Sequence, residues 1–307
     1  MRAAVYRRYG PPEVVRVENI ADPALKDDEV MVRVRAASVA AADWRMRKAD
    51  PFLARLFNGL FVPRRAQVLG LELAGDVVAV GARAERFAVG DAVFGFTGFG
   101  FGAHAELRAI RPVGKPGKVG LFAHKPASLS YEQAAALPLG ALTAQAFLRR
   151  AGLRPGQRLL VHGASGSVGT AAVQLGRHLG AEVTAVCSGS NAELVSSLGA
   201  AHVIDYTKED FTRGGRFDVV LDAVGKVSKR QCRGVLTDGG RFVSVKGQPG
   251  LGPDDLERLA GLVEAGHLRA VVDRRYRLDQ IVEAHRYVEA GHKRGNVVVS
   301  MDPAFAT

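Results

Sequence analysis

From Met1 to about Val113 the chain advances in short apolar runs broken by glycine: Ala3-Ala4-Val5-Tyr6, Glu29 to Val34, Glu72 to Val80 and Ala92 to Phe96. Such runs, bounded by turn formers, predict strands, so this part reads as β-rich. Past Lys125-Pro126 the period lengthens, and Tyr131 to Leu148 predicts a helix broken near Pro138 with Ser130 as its N-cap. Strands and helices then alternate. Arg158 to His162, Glu182 to Cys187, His202 to Asp205, Phe217 to Asp222 and Arg241 to Val245 read as strands. Ser167 to Leu179, Asn191 to Leu198 and Lys229 to Leu236 read as helices between them. This alternation predicts an α/β fold with a parallel sheet. Asp254 to Ala265 and Leu278 to Ala290 add two helices, and Asn296 to Met301 a last strand.

Composition agrees with a folded chain of about two domains, since 307 residues carry 47% apolar and 24% charged side chains. The balance of 42 basic over 31 acidic residues gives +11. A nucleic acid, a membrane surface or an anionic ligand would each suit that charge. Position narrows the choice. Arg45, Arg47, Lys48, Arg55, Arg64 and Arg65 share a segment with Asp43 and Asp50, and Arg274, Arg275 and Arg277 are flanked by Asp273 and Asp279. These read as solvated faces, so no nucleic-acid partner is expected. No stretch reaches the roughly 18 apolar residues of a spanning helix, and no membrane partner is expected. Met1 to Tyr9 lacks the apolar core of a secretory signal, and Cys187 and Cys232 are too few for a disulfide framework. A cytoplasmic location follows as the expectation.

The segment His162-Gly163-Ala164-Ser165-Gly166-Ser167-Val168-Gly169 lies between a strand and a helix, with glycines spaced G-x-x-G-x-x-G. Small residues there let the backbone approach a pyrophosphate, and the helix N-terminus directs N–H groups at it. An NAD site places a carboxylate about 20 residues on, at the end of the next strand. Here Ser188-Gly189-Ser190-Asn191 follows Cys187, and no acid appears until Glu193. That favours NADP(H), although no Arg or Lys stands in the loop. Ser188, Ser190 and Asn191 suit a 2′-phosphate and equally suit a helix cap.

Together with Gly70-Leu-Glu72-Leu-Ala-Gly75-Asp-Val-Val-Ala-Val-Gly81, Gly90-Asp91-Ala-Val93 and Ala134-Ala-Ala-Leu-Pro138, these residues resemble the zinc-free branch of the medium-chain dehydrogenase/reductase superfamily, the quinone oxidoreductase-like proteins. The resemblance implies a GroES-like catalytic domain from 1–122 and 267–307, and a Rossmann domain with a doubly wound parallel sheet, 123–266, between them. It implies that Gly163 to Gly169 hold the pyrophosphate of NADP(H), and that Ser188, Ser190, Asn191 and Tyr206 surround the 2′-phosphate. Lys293 and Asn296 match a loop that returns to the cofactor, as phosphate or nicotinamide contacts. Asp43 is expected to organise the floor of the cleft or to cap a helical turn, and Thr143 to donate to substrate or cofactor or simply to pack.

Zinc-dependent relatives carry a cysteine where this chain has Ala40 and a histidine where it has Leu71, so no metal is expected. Without a Lewis acid, reduction is the easier direction, and the expected substrate is an apolar quinone or α,β-unsaturated carbonyl. Phe94, Phe96, Phe99 and Phe101, with Phe52, Phe57 and Phe61, line a slot for flat substrates or pack around a loop. Only a short Gly/Pro loop joins Lys246-Gly247 to Asp254, so a homodimer of the family's sheet-to-sheet kind loses its usual edge. The second functional reading is an NADPH-binding protein with nucleic-acid affinity and little catalysis.

Overall fold

The computed structural model describes residues 1–112, 120–247 and 250–302. Val113, and Gln248 and Pro249 of the Gly/Pro loop, lie outside the described residues. In chain order the first part contains β1 (Arg2–Tyr6), β2 (Val15–Asn19), β3 (Val30–Val39), α1 (Ala41–Lys48), α2 (Ala54–Asn58), β4 (Glu72–Val80), β5 (Ala92–Phe96), β6 (Leu107–Ile110), β7 (Leu121–His124) and α3 (Tyr131–Ala135). Then come α4 (Pro138–Ala151), β8 (Arg158–His162), α5 (Ser167–His178), β9 (Glu182–Cys187), α6 (Ala192–Ser197), β10 (His202–Asp205), β11 (Phe217–Asp222) and β12 (Leu236–Ser244). The last elements are α7 (Asp255–Glu264), β13 (Val272–Arg277), α8 (Ile281–Glu289) and β14 (Asn296–Ser300).

The chain forms two compact units: Met1–Pro138 with Leu256–Ala260 and the chain from Val272 onward, and Leu139–Asp255 with Gly261–Val271. In the first, a seven-stranded sheet runs β13-β14-β3-β4-β5-β7, with β6 also paired to β3. β7 joins through β5 and α3 packs on β3, β4 and β5, so residues 123–138 fall in the first unit, whereas the resemblance implied a boundary at 122. Ser130 caps α3 as expected: its hydroxyl accepts from the Gln133 N–H, and the Gln133 side chain accepts from the Ser130 N–H.

The second unit is a five-stranded, wholly parallel sheet in the order β10-β9-β8-β11-β12. The chain winds outward from β8 through β9 to β10, then crosses to β11 on the other side of β8. Ligands of open α/β sheets bind at this reversal, beyond the carboxyl ends of the central strands. The helix expected over 229–236 is absent. Ser228 and Gln231 start one turn, Gly234 stands in the next, and Cys232, Val235 and Leu236 are buried beneath β11 as β12 begins. Among the described residues no helix is long and apolar enough to cross a membrane.

Candidate functional site

β8 ends at His162 and α5 begins at Ser167, so the glycine segment is the turn between them. Gly163 has φ +78°, and a Cβ on it would stand 2.5 Å from the Val224 side chain. Gly169 is buried in the first turn of α5, where a Cβ would stand 2.2 Å from the Gly163 carbonyl oxygen. Gly166 differs, having no atom closer than 3.6 Å to such a Cβ. The three glycines thus divide the work between a left-handed turn, an open approach and a close helix contact. Gly166 is also the N-cap of α5, and no side chain caps the helix. The N–H groups of Ser167, Val168 and Gly169 therefore have no acceptor within the helix, and they carry its positive dipole end.

Not every residue of the turn serves alike. The N–H groups of Gly163 and Ala164 both donate to Val186 O, at 3.0 Å, and Ala164 is fully buried. These two N–H groups tie the turn to β9, and the Gly166 N–H donates to Gly163 O at 3.2 Å, so the donors not spent inside the turn are those of Ser165 and of the first turn of α5.

At the end of β9, Asn191 Nδ2 donates to Ser165 Oγ at 3.1 Å and to Ser188 Oγ at 3.0 Å. Ser188 and Ser190 hydroxyls lie 3.1 Å apart. Asn191 thereby links this loop to the glycine turn, while its buried Oδ1 has no protein partner. The capping alternative is not realised, since neither the short turn over Gly189–Asn191 nor α6 has a side-chain cap. Tyr206 is 57% exposed beside this loop, its N–H donating to Cys187 O at 3.1 Å.

Two features escaped the linear reading. Asp205, paired across the strands with Cys187, turns its carboxylate toward Gly189. Thr207 holds it through its hydroxyl at 2.7 Å and its N–H at 3.0 Å, and these bonds keep the carboxyl below its usual range. The acid nearest the loop thus comes from the neighbouring strand, invisible to a count along β9. The second is Asp222, buried at the end of β11 opposite His162. It accepts from Gly225 N–H at 3.0 Å, Lys226 N–H at 3.2 Å, Ser244 Oγ at 2.9 Å and His162 Nδ1 at 3.3 Å. Burial pushes its carboxyl up, but the His162, Ser244 and backbone bonds outweigh that and leave it lowered. Asp222 fixes the Val224–Val227 turn, which sets Val224 over Gly163. Thr143 is buried on α4, one turn past Gly140, which abuts Ser167.

In the first unit, Asp43 is fully buried, and its carboxylate accepts from Ala40 N–H at 2.7 Å and Gly70 N–H at 2.8 Å. Burial raises its pKa, against the opposing effects of His104 and the two backbone bonds. Asp43 therefore caps the first turn of α1, the second of its two expected roles, and through Gly70 ties that turn to the chain before β4; fully buried, it is a positioning residue. Glu72 is buried and accepts from Ser38 Oγ. Lys293 is half-buried and donates to Gly295 O, and burial pushes its pKa down to about 8 against the pull of Glu72 and Asp273. Asn296 is buried at the start of β14. Phe94, Phe96 and Phe101 are core side chains, so the expected aromatic slot is not built from them.

Residues 26–123 match the family model of the alcohol dehydrogenase GroES-like domain, and residues 167–265 and 250–299 match two models of zinc-binding dehydrogenases. The chain is 34% identical to a 2-methylene-furan-3-one reductase of Solanum lycopersicum, over 99% of this chain and 80% of that protein. It is 33% identical to a chloroplastic NADPH-dependent alkenal/one oxidoreductase of Arabidopsis thaliana, over 97% of this chain and 79% of that one. The chain belongs to the medium-chain dehydrogenase/reductase superfamily. Among solved members, the quinone oxidoreductase of Coxiella burnetii superposes with a TM-score of 0.87 at 28% identity, covering 98% of this chain and 99% of that chain. The superfamily includes zinc enzymes, but the donor set here does not fit zinc. Ala40 and Leu71 offer no ligand, and among the described residues no three His, Cys, Asp or Glu side chains are grouped to hold a metal.

Proposed function

We propose that the protein is an NADPH-dependent reductase of quinones and α,β-unsaturated carbonyls. One observation carries the nucleotide half of this reading: the uncapped N-terminus of α5 opens at Gly166 beside a hydroxyl and amide loop tied to it through Asn191. The substrate half rests on what the relatives above are named for, a furanone, alkenals and enones, and quinones.

We assign the pyrophosphate to the N–H groups of Ser165, Ser167, Val168 and Gly169, with Gly163, Ala164 and the Gly166 N–H, which donates to Gly163 O, shaping the turn. Ser188, Ser190, Asn191 and Tyr206 surround the 2′-phosphate and its ribose; the unpartnered Asn191 Oδ1 is an acceptor and suits a ribose hydroxyl, not the phosphate. The Thr207 bonds leave the Asp205 carboxylate ionised, so the 2′-phosphate has to lie clear of its oxygens, on the hydroxyl side of the loop. Lys293, Asn296 and Thr143 are assigned by resemblance to cofactor or substrate contacts. The bound nicotinamide supplies the hydride. For an enone the β-carbon receives it and the α-carbon takes a proton from water, so the protein's work is orientation, exclusion of competing water and hydrogen bonding to the developing oxyanion. The free, buried Cys187 and Cys232 suit a reducing compartment such as the cytoplasm. The test is steady-state NADPH oxidation with a panel of enals, enones, and ortho- and para-quinones. Turnover with one of these classes is expected, and none above the blank with any would refute the reading.

A further inference from the structure

Twelve large apolar side chains are exposed among the described residues, and seven of them fall between Phe52 and Val62. Phe61 is 83% exposed, Leu56 70% and Leu53 67%. A concentration of this kind marks an interaction surface, whereas scattered exposed apolar residues need no explanation. The segment is also not a loose loop. Asn58, fully buried at the end of α2, donates from Nδ2 to Tyr6 Oη at 2.6 Å, and its Oδ1 accepts from Arg65 N–H at 3.2 Å and Ala66 N–H at 2.8 Å. Tyr9 Oη donates to Gly59 O at 2.6 Å, and Arg64 N–H to Asn58 O at 2.7 Å. Polar anchors hold the base of the segment on the domain while its apolar tips face outward.

Around the tips the charge is mainly basic. Arg45, Arg64 and Arg65 are exposed, Lys48 is exposed but pairs with Glu289 at 3.1 Å, and Asp50 is the one exposed acid from residue 45 to 65. Half-buried Arg55 stacks over Tyr9 and Phe52, with its guanidinium carbon 4.8 and 5.1 Å from the ring centroids. We propose that this apolar prong with its basic rim docks the protein on an anionic lipid surface. Apolar tips of this size gain free energy by entering the boundary between headgroups and acyl chains, and each rim cation adds attraction to lipid phosphates. A second copy of the chain fits less well, because it would bring an equally basic rim and a net charge of +11 against this one. The proposal departs from the expectation that no membrane is involved, and it stands apart from the reading of the nucleotide site.

Co-sedimentation with vesicles of phosphatidylcholine, alone or mixed with phosphatidylglycerol, tests it. The protein is expected to bind the mixed vesicles at least tenfold more strongly than the neutral ones. Two double variants, Leu53→Ser with Leu56→Ser and Arg64→Glu with Arg65→Glu, are each expected to lose at least tenfold of that binding with the unfolding temperature unchanged. Lack of binding by the wild-type chain to the mixed vesicles overturns the proposal, and so does undiminished binding by the leucine variant. A dimer seen by light scattering that the leucine variant abolishes, without vesicle binding by the wild type, assigns the prong to a second copy and overturns it too.

Discussion

Gly169 lies so close to the Gly163 carbonyl that a single methyl group cannot enter without moving the phosphate turn, since its Cβ would be 2.2 Å from that oxygen. Gly169→Ala is therefore expected to weaken NADPH binding tenfold or more, about 1.4 kcal/mol, in a fluorescence titration. An unchanged dissociation constant would show that the turn does not hold the nucleotide. Asp43 tests a different role. Both of its oxygens accept from backbone N–H groups in a buried place, and Asp43→Asn turns an amide NH2 toward one of these donors. A loss of about 1–3 kcal/mol is expected, read as a lowered unfolding temperature, with turnover of the folded protein kept. Lost turnover at unchanged stability would instead place Asp43 in the chemistry.

At the scale of elements, α8 carries the clearest pH response. His285 is fully buried on it with no protein hydrogen bond to either nitrogen, and its ring centroid lies 5.8 Å from that of His104. Burial, with His104 and the buried Arg47 nearby, holds its pKa well below the usual imidazole range. The unfolded chain therefore binds this proton more readily than the folded one. The stability from neutral His285 is full above about pH 6.5 and declines as the pH falls further. Calorimetry from pH 7 to 5 should show a falling unfolding temperature, with a shallower fall in His285→Met; parallel falls would contradict this origin. Elements also show what the sequence could reveal. The five parallel strands were legible because their apolar runs end in turn formers, and the cap of α3 because Ser130 and Gln133 stand three apart. α1 was not, because its buried positions are Asp43 and Arg47, so polar pairs and not an apolar period mark its inner face. β13 was not either, since Asp-Arg-Arg-Tyr-Arg at a sheet edge looks like solvated chain until β14 is seen beside it. In the nucleotide loop the glycine spacing was readable. The Asp205–Gly189 approach and the Asp222–His162 pair were not, because each joins residues far apart in sequence that only the pairing of strands brings together.

For the whole molecule, cofactor choice is the sharpest consequence of the charge and the loop after β9. A ligand present at a hundred times its dissociation constant stabilises the folded state by about 2.7 kcal/mol. NADPH is thus expected to raise the unfolding temperature by several degrees, and NADH at equal concentration by clearly less. Equal shifts would remove the role assigned to Ser188, Ser190, Asn191 and Tyr206. With +11 on the chain, the NADPH shift should also shrink as salt is added. The central claim, hydride transfer from NADPH to an activated carbon–carbon double bond or quinone, is tested most directly by isotope tracing. With NADPH deuterated at the transferring position of the nicotinamide and an enone as acceptor, the deuterium should appear on the β-carbon of the saturated ketone, one per NADPH consumed. Saturated product without that label, or no product from any enone or quinone, would contradict the account.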